Sequence, residues 1–172
     1  MSLGFPFFSL IYRSDLYIGP PINLIHDFIT PLETPFFIQP KEEDQKHMLS
    51  YYSSEMGSLD VLKRTIIFSL KELDSSLLKS FKKKALKKEE DSRVKGRSVN
   101  IDVGFMTKGH VCLGTTKEAP HRPYLGENIW LELALWFYKG EYRPFPWTYL
   151  DYQSEEVKKK LILIRKQLDV IK

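Results

Sequence analysis

The sequence predicts an α+β fold: a largely antiparallel sheet, ending in a C-terminal meander, with about three helices packed mainly on one face. Three observations carry that prediction. Apolar residues alternate with polar or small ones from Val99 to Phe137, the period of two that marks half-buried strands. Turn signals at 107–109, 126–128 and 139–140 leave connections so short that only antiparallel neighbours can be joined by them. Behind Ser154, a candidate cap, Val157, Leu161, Ile164, Leu168 and Ile171 recur at helical spacing. With 172 residues, 42% hydrophobic and 28% charged, the chain is long enough for one domain with a buried core. That composition excludes a disordered tail, a collagen-like repeat and a disulfide-stapled miniprotein.

Phe7 to Tyr12, rich in aromatic and β-branched residues, reads as the first strand. Gly19-Pro20-Pro21 opens a short helix with Leu24, Ile25, Phe28 and Ile29 as its stripe and Pro31 as its stop. Phe36 to Ile38 is a second strand between prolines, and the polar segment 41–57 is most simply a loop. Lys63 to Leu70 is a third strand. Leu73 and Asp74 start a second helix, with Asp74 accepting from a first-turn N–H and Leu73 stapling onto Leu78. Leu78, Phe81 and Ala85 continue its stripe. The lysines that follow suit a helix C-terminus and a solvated face, and the helix is expected to fray into a mobile basic segment near 86–97. The strands 98–106, 110–116, 129–138 and 141–145 make the meander.

Alternation sorts the meander into two faces. Val99, Ile101, Val103, Phe105, Val111, Leu113, Ile129, Leu131, Leu133, Leu135 and Phe137 form an apolar face under the helices. Asn100, Asp102, Gly104, Cys112, Gly114, Thr116, Trp130, Glu132, Ala134 and Trp136 form the other. Small residues beside tryptophans there imply a concave, partly covered surface.

That second face holds the chemistry. Asp102 and Glu132 are two carboxylates on one sheet face, suited to divide acid and base roles or to bind a divalent cation through hard oxygen ligands. The plainer alternative pairs Asp102 with Arg122 or Arg97 and leaves Glu132 exposed. Between the strands, 115–122 supplies Thr116, Lys117, His121 and Arg122, with Tyr124 just beyond. Hydroxyls, Lys and Arg are the usual donors to phosphate or carboxylate oxygens, Arg through a bidentate fork. His121 exchanges protons near neutrality by intrinsic pKa. Asn100 completes the set, although a merely polar loop reads the same way. Zinc spacing is lacking, since His26, His47, His110 and His121 are scattered and Cys112 stands alone. A Cys112–His121 nucleophile pair competes with the commoner reading of Cys as a small buried hydrophobe. Gly104 and Gly109 have the gap of a phosphate loop, but His110-Val111 stands where Lys-Ser/Thr is needed. The aromatic run 147–152 could stack bases but more often clamps a helix on a sheet.

Five motifs together resemble an uncharacterised bacterial family, catalogued as a domain of unknown function and sometimes labelled GTP-binding. They are Tyr51-Tyr52 with Glu55-Met56-Gly57; Asn100, Asp102 and Gly104-Phe105; Thr115-Thr116-Lys117; His121-Arg122 with Tyr124-Leu125; and Pro146-Trp147-Thr148-Tyr149 with Asp151-Tyr152. The resemblance covers most of the chain and implies a stand-alone cytoplasmic protein without an assigned activity. Thr115-Thr116-Lys117-Glu118 is not the Asn-Lys-x-Asp guanine motif.

Charge narrows the partners. The formal net charge of +4 is local: 79–97 carries nine basic and three acidic residues, leaving 17 against 19 elsewhere. An RNA-binding module using 79–97 is therefore the alternative, not the first reading, and a structural protein without ligand is the third. Leu3 to Tyr12 is broken by Pro6 and too short for a bilayer, so neither a signal peptide nor a membrane span is expected. The first reading is a cytoplasmic protein that binds, and in an enzymatic version acts on, a phosphorylated or otherwise anionic small molecule or nucleotide. Asp102, Glu132 and His121 would be its catalytic groups, with a divalent metal on Asp102 and Glu132. Asn100, Thr116, Lys117, Arg122 and Tyr124 would hold the ligand.

Overall fold

A single antiparallel sheet of nine strands runs through the computed structural model, which describes residues 2–28, 35–94 and 96–170. The strands are β1 (Leu3–Arg13), β2 (Phe36–Ile38), β3 (Leu62–Phe68), β4 (Leu73–Asp74), β5 (Val99–Met106), β6 (His110–Thr115), β7 (Tyr124–Gly126), β8 (Ile129–Tyr138) and β9 (Glu141–Pro144). The helices are α1 (Glu42–Met56), α2 (Leu78–Asp91), α3 (Leu150–Gln153) and α4 (Glu155–Val170). Strand order is β2-β3-β1-β5-β6-β8-β7, with β4 on β1 and β9 on β8. The expected α+β class, with its C-terminal meander, is what the chain adopts. Among the described residues, no helix is long and apolar enough to cross a membrane.

Buried β1 is the spine, pairing with β3 on one side and β5 on the other. It begins at Leu3, before the expected Phe7. Pro6 does not break it, because it lies where the ladder to β3 ends and its carbonyl still accepts from Ser69 N at 3.0 Å, so only the last bond is missing. Around Ile22–Leu24 and His26–Phe28 the chain makes two 3-10 turns where a short helix is expected; Ile29 and Pro31 lie outside the described residues. Leu73–Asp74 is a strand, and Asp74 caps a 3-10 turn by accepting from Ser76 N at 3.0 Å, ahead of α2.

The segment 41–57, expected to be a loop, is helix α1 over Glu42–Met56. Its buried residues Gln45, Met48, Leu49, Tyr52 and Met56 recur at helical spacing, and Glu42, Glu43 and Asp44 sit in the first turn where the dipole favours them. Gly57 closes it at φ 107°, a conformation that costs glycine little.

Register settles the faces. Phe5, Phe7, Ile66, Phe68, Met106, Val111 and Leu113 pack with Tyr152, Val157, Leu161, Ile164 and Leu168 of α3 and α4, and Ile11 with Met48, Leu49 and Tyr52 of α1. Phe8, Leu10, Ile101, Val103, Phe105 and Cys112 pack with Leu78 and Ala85 of α2. Three helices therefore share one face and α2 covers the other. The β6 assignment made from alternation is inverted: Leu113 lies opposite Gly104 and Glu132, while Cys112 lies opposite Phe105 and Gly114 opposite Val103. The cause is the hairpin, where Thr107 N bonds His110 O at 2.9 Å and leaves a two-residue turn. Such a turn pairs an odd-numbered residue with an even-numbered one, so parity counted across it flips.

Candidate functional site

The site forms where two strands part. β5 and β6 are paired only over 103–106 against 114–111; from Asp102 back to Val99 that side of β5 has no strand neighbour. Ile101 there would leave a bare N–H and C=O, which a protein interior does not tolerate. Two side chains of α2 replace the missing rung. Glu89 Oε1 accepts from Ile101 N at 2.6 Å, and Lys82 Nζ donates to Ile101 O at 3.1 Å. Lys82, 4% exposed, reaches this place alongside Gly114, whose missing side chain leaves the space: a Cβ there would stand 3.2 Å from Lys82 Cβ.

Around this gap lies a cleft of about 100 Å³, lined among others by Tyr52, Lys82, Arg97, Asn100, Asp102, Thr116, Lys117, Arg122, Glu132 and Tyr149. The Lys82 ammonium also donates to Asp102 Oδ1 at 3.1 Å, and Asn100 Nδ2 donates to Asp102 Oδ2 at 2.9 Å. Arg97 ties the rim together, bonding Glu55, Glu89 and Asn100. Across the cleft Arg122 grips Glu132 Oε2 through Nε at 2.6 Å and also through its second terminal nitrogen, while its first donates to Lys117 O at 2.7 Å. Lys117 Nζ donates to Tyr51 OH at 2.8 Å and lies over that ring. Below, on β3, Arg64 is buried on Asp151 and Ser9.

Of the residues singled out in the sequence, the fold brings Asn100, Asp102, Thr116, Lys117, Arg122 and Glu132 to one cleft. Two are elsewhere. The His121 ring stacks on Trp147 at 4.0 Å with Nε2 buried and unpartnered, in an aromatic column that continues to Phe145. Tyr124, 59% exposed, packs on Trp130, and its hydroxyl accepts from Asn128 N. Neither lines the cleft, so neither is placed for the proton-carrying or ligand-holding role expected of it there. Asp102 pairs with Lys82 rather than with Arg122 or Arg97, and Glu132 is buried rather than exposed. Each carboxylate is thus matched to a protein cation. Among the described residues, no three His, Cys, Asp or Glu side chains gather as a metal-ligand set. Cys112 is buried, its thiol donating to Phe105 O and its pKa pushed up by burial to about 11, which disfavours a thiolate.

Electrostatics divides these groups into acceptors and donors. Burial works to raise the Asp102 pKa, but the Lys82 charge and hydrogen bond, Asn100 and Arg64 outweigh it, and the carboxyl stays ionised below its ordinary range. Glu89 goes the other way: burial raises it more than Lys82 and Arg97 lower it. Burial and the charges of Asp102 and Glu132 push the Tyr149 phenol up, so it stays a donor. The cleft therefore offers an ionised acceptor, a protonated phenol and several fixed cations.

Tyr52, Lys82, Glu89 and Tyr149 were not singled out for the site. Tyr52 and Tyr149 stand inside motifs that carry the family resemblance. The signal for Lys82 and Glu89 is that both fall on the apolar stripe of α2, with Leu78 and Ala85, where a charged residue needs a reason.

The basic segment 79–97 is largely committed. Lys79 and Lys83 pair with Glu127, Lys88 with Asp27, Arg93 with Glu90 and Arg97 with Glu55 and Glu89. The helix runs to Asp91, beyond the residue where fraying is expected to start, and Lys82 is not solvated.

A family described as Domain of unknown function (DUF4416) matches residues 31–168, most of the chain. The chain belongs to this family. The match takes in every residue that lines the cleft and both α1 and α2. No curated protein and no solved structure matches the chain.

Proposed function

We propose that this member of the DUF4416 family is a cytoplasmic protein that binds a phosphorylated or otherwise anionic small molecule in the cleft between β5 and β6. One observation carries the reading: residues from six separate stretches of sequence converge on one cleft lined by the cations Lys82, Arg97, Lys117 and Arg122, and Lys117 among them is held by a phenol rather than a carboxylate. Lys117, whose ammonium meets Tyr51 and, among the described residues, no carboxylate, and Thr116, exposed at the mouth, are the groups most ready to receive a ligand. Asp102 would hold Lys82 in place, and Tyr149 would supply a further donor. An RNA-binding role for 79–97 has less support, because most of that segment's cations already face carboxylates.

Calorimetric titration with orthophosphate, sulfate, acetate, pyrophosphate and a nucleoside monophosphate tests the reading. At least one anion is expected to bind with one-to-one stoichiometry, and Lys117→Ala, a surface change that leaves the fold intact, is expected to weaken it. If every anion fails, or binding ignores Lys117→Ala, the cleft is not an anion site.

A further inference from the structure

We propose that the ligand is a phosphate monoester, its single terminal phosphate seated in the cleft. This rests on the anion-binding reading above and narrows it to one head group. The first argument is size. A cleft of about 100 Å³ is far below the several hundred Å³ that enclose a whole drug-sized ligand. It takes a head group, and the remainder of the molecule lies outside it. A second cavity, of about 650 Å³, shares Leu86, Arg97 and Thr116 with the cleft as a common wall and offers that remainder a place.

The second argument is charge. Of the four cations that line the cleft, Lys82 faces Asp102, Arg122 faces Glu132 and Arg97 faces Glu55 and Glu89, while Lys117 is held by the Tyr51 hydroxyl. A phosphate monoester, with close to two negative charges at neutral pH, gains more from a cation held in this way than a carboxylate with one. Donor geometry is the third. Lys82 is nearly inaccessible to solvent, and among the described residues two of its three ammonium protons are taken, by Ile101 O and Asp102 Oδ1. A buried ammonium proton calls for an acceptor. Arg122 is pinned through three nitrogens and keeps unspent N–H bonds in a fixed plane, and Lys117 and Thr116 close the mouth. Donors from a helix and from the connection after β6, lining one cleft, suit a tetrahedral oxyanion with three free oxygens. Asp102 and Glu132 hold Lys82 and Arg122 in position and are not proposed to touch the phosphate.

Competition calorimetry with orthophosphate, glycerol phosphate, glycerate and pyrophosphate tests this on the full chain. Glycerol phosphate is expected to bind, to be displaced by orthophosphate, and to bind at least about tenfold tighter than glycerate, the carboxylate of matched size, since a charge-assisted bond is lost. Pyrophosphate is expected to bind no tighter than orthophosphate. Lys117→Ala should weaken glycerol phosphate about tenfold and leave glycerate nearly unchanged; Lys82→Met, where it folds, should weaken both phosphates further. Equal affinity for glycerate, or tighter binding of pyrophosphate, would overturn the monoester assignment while leaving an anion site. Failure of all four probes overturns both.

Discussion

Asp102 shows how a single carboxylate links stability to pH. Its folded pKa lies below the ordinary value because Lys82, Asn100 and Arg64 together outweigh the opposing effect of burial. A carboxyl whose folded pKa is depressed contributes stability above its unfolded pKa of about 3.9 and loses it as pH falls through the folded value. Asp102→Asn leaves the Lys82 ammonium buried without its counter-charge, and the expected cost is about 1–3 kcal/mol at neutral pH. Urea unfolding at successive pH values should show that gap steady from about pH 7 to 5 and closing below about 4. A gap that persists undiminished at about pH 2.5 would remove the ion pair as its cause. Glycines give a second test at this scale. A Cβ on Gly104 would lie 2.2 Å from the Phe7 ring and 2.4 Å from Cys112 O, both inside the sheet. Gly104→Ala should therefore cost about 3 kcal/mol or more, whereas Gly109→Ala, with nothing within 4 Å, should change the melting midpoint by little.

At the scale of elements, what the sequence made legible followed from pattern strength. The alternation from 99 to 138 and the stripe of α4 are strong periodic signals, and both elements stand where they were expected. Helix α1 is faint in the sequence because its buried positions include Gln45 and Tyr52 while Tyr51 is exposed, so the apolar stripe is blurred against the charge around it. The inverted face of β6 has another origin: a turn of unknown length decides the parity of the next strand, and within β8 a register shift between Leu133 and Leu135 moves Leu135 to the face opposite Leu131 and Leu133. Half of the site was legible in the sequence. Asn100, Asp102 and Glu132 were placed by alternation within β5 and β8, whereas Lys82 is one lysine among many in its segment, distinguished only by falling on the apolar stripe. The α1 assignment has its own check. Leu49, 5% exposed, packs with Ile11, Met48 and Leu62, so Leu49→Ala should cost about 2–5 kcal/mol in chemical denaturation. The exposed Lys46→Ala on the same helix should cost less than about 0.5 kcal/mol. Equal small effects at both positions would mean that this segment does not pack as a helix.

Across the whole molecule, the cleft draws on distant parts of the chain: Tyr52 from α1, Lys82 from α2, Asn100 and Asp102 from β5, Lys117 and Arg122 from the connection after β6, Glu132 from β8 and Tyr149 at the start of α3. No short piece of sequence contains more than a fraction of it. An unfolded chain therefore has no such site, and a ligand that binds there stabilises the folded state by mass action. Glycerol phosphate at about a hundred times its dissociation constant is expected to add about 2.7 kcal/mol, equivalent to a rise of roughly 5–10 °C in melting temperature for a chain of this size. The protection should reach elements that do not touch the ligand. Amide exchange in β1 and β3, which opens only with the sheet they share with β5, should slow by the same factor as exchange in β5 itself. Orthophosphate should produce a smaller shift of the same kind, and Lys117→Ala, about tenfold weaker for glycerol phosphate, should lose about half of that ligand's shift at unchanged concentration. Protection confined to 115–122, with β1 and β3 unaffected under conditions where their amides exchange by global unfolding, would show instead that the anion meets only the loop and that the cleft is not its site.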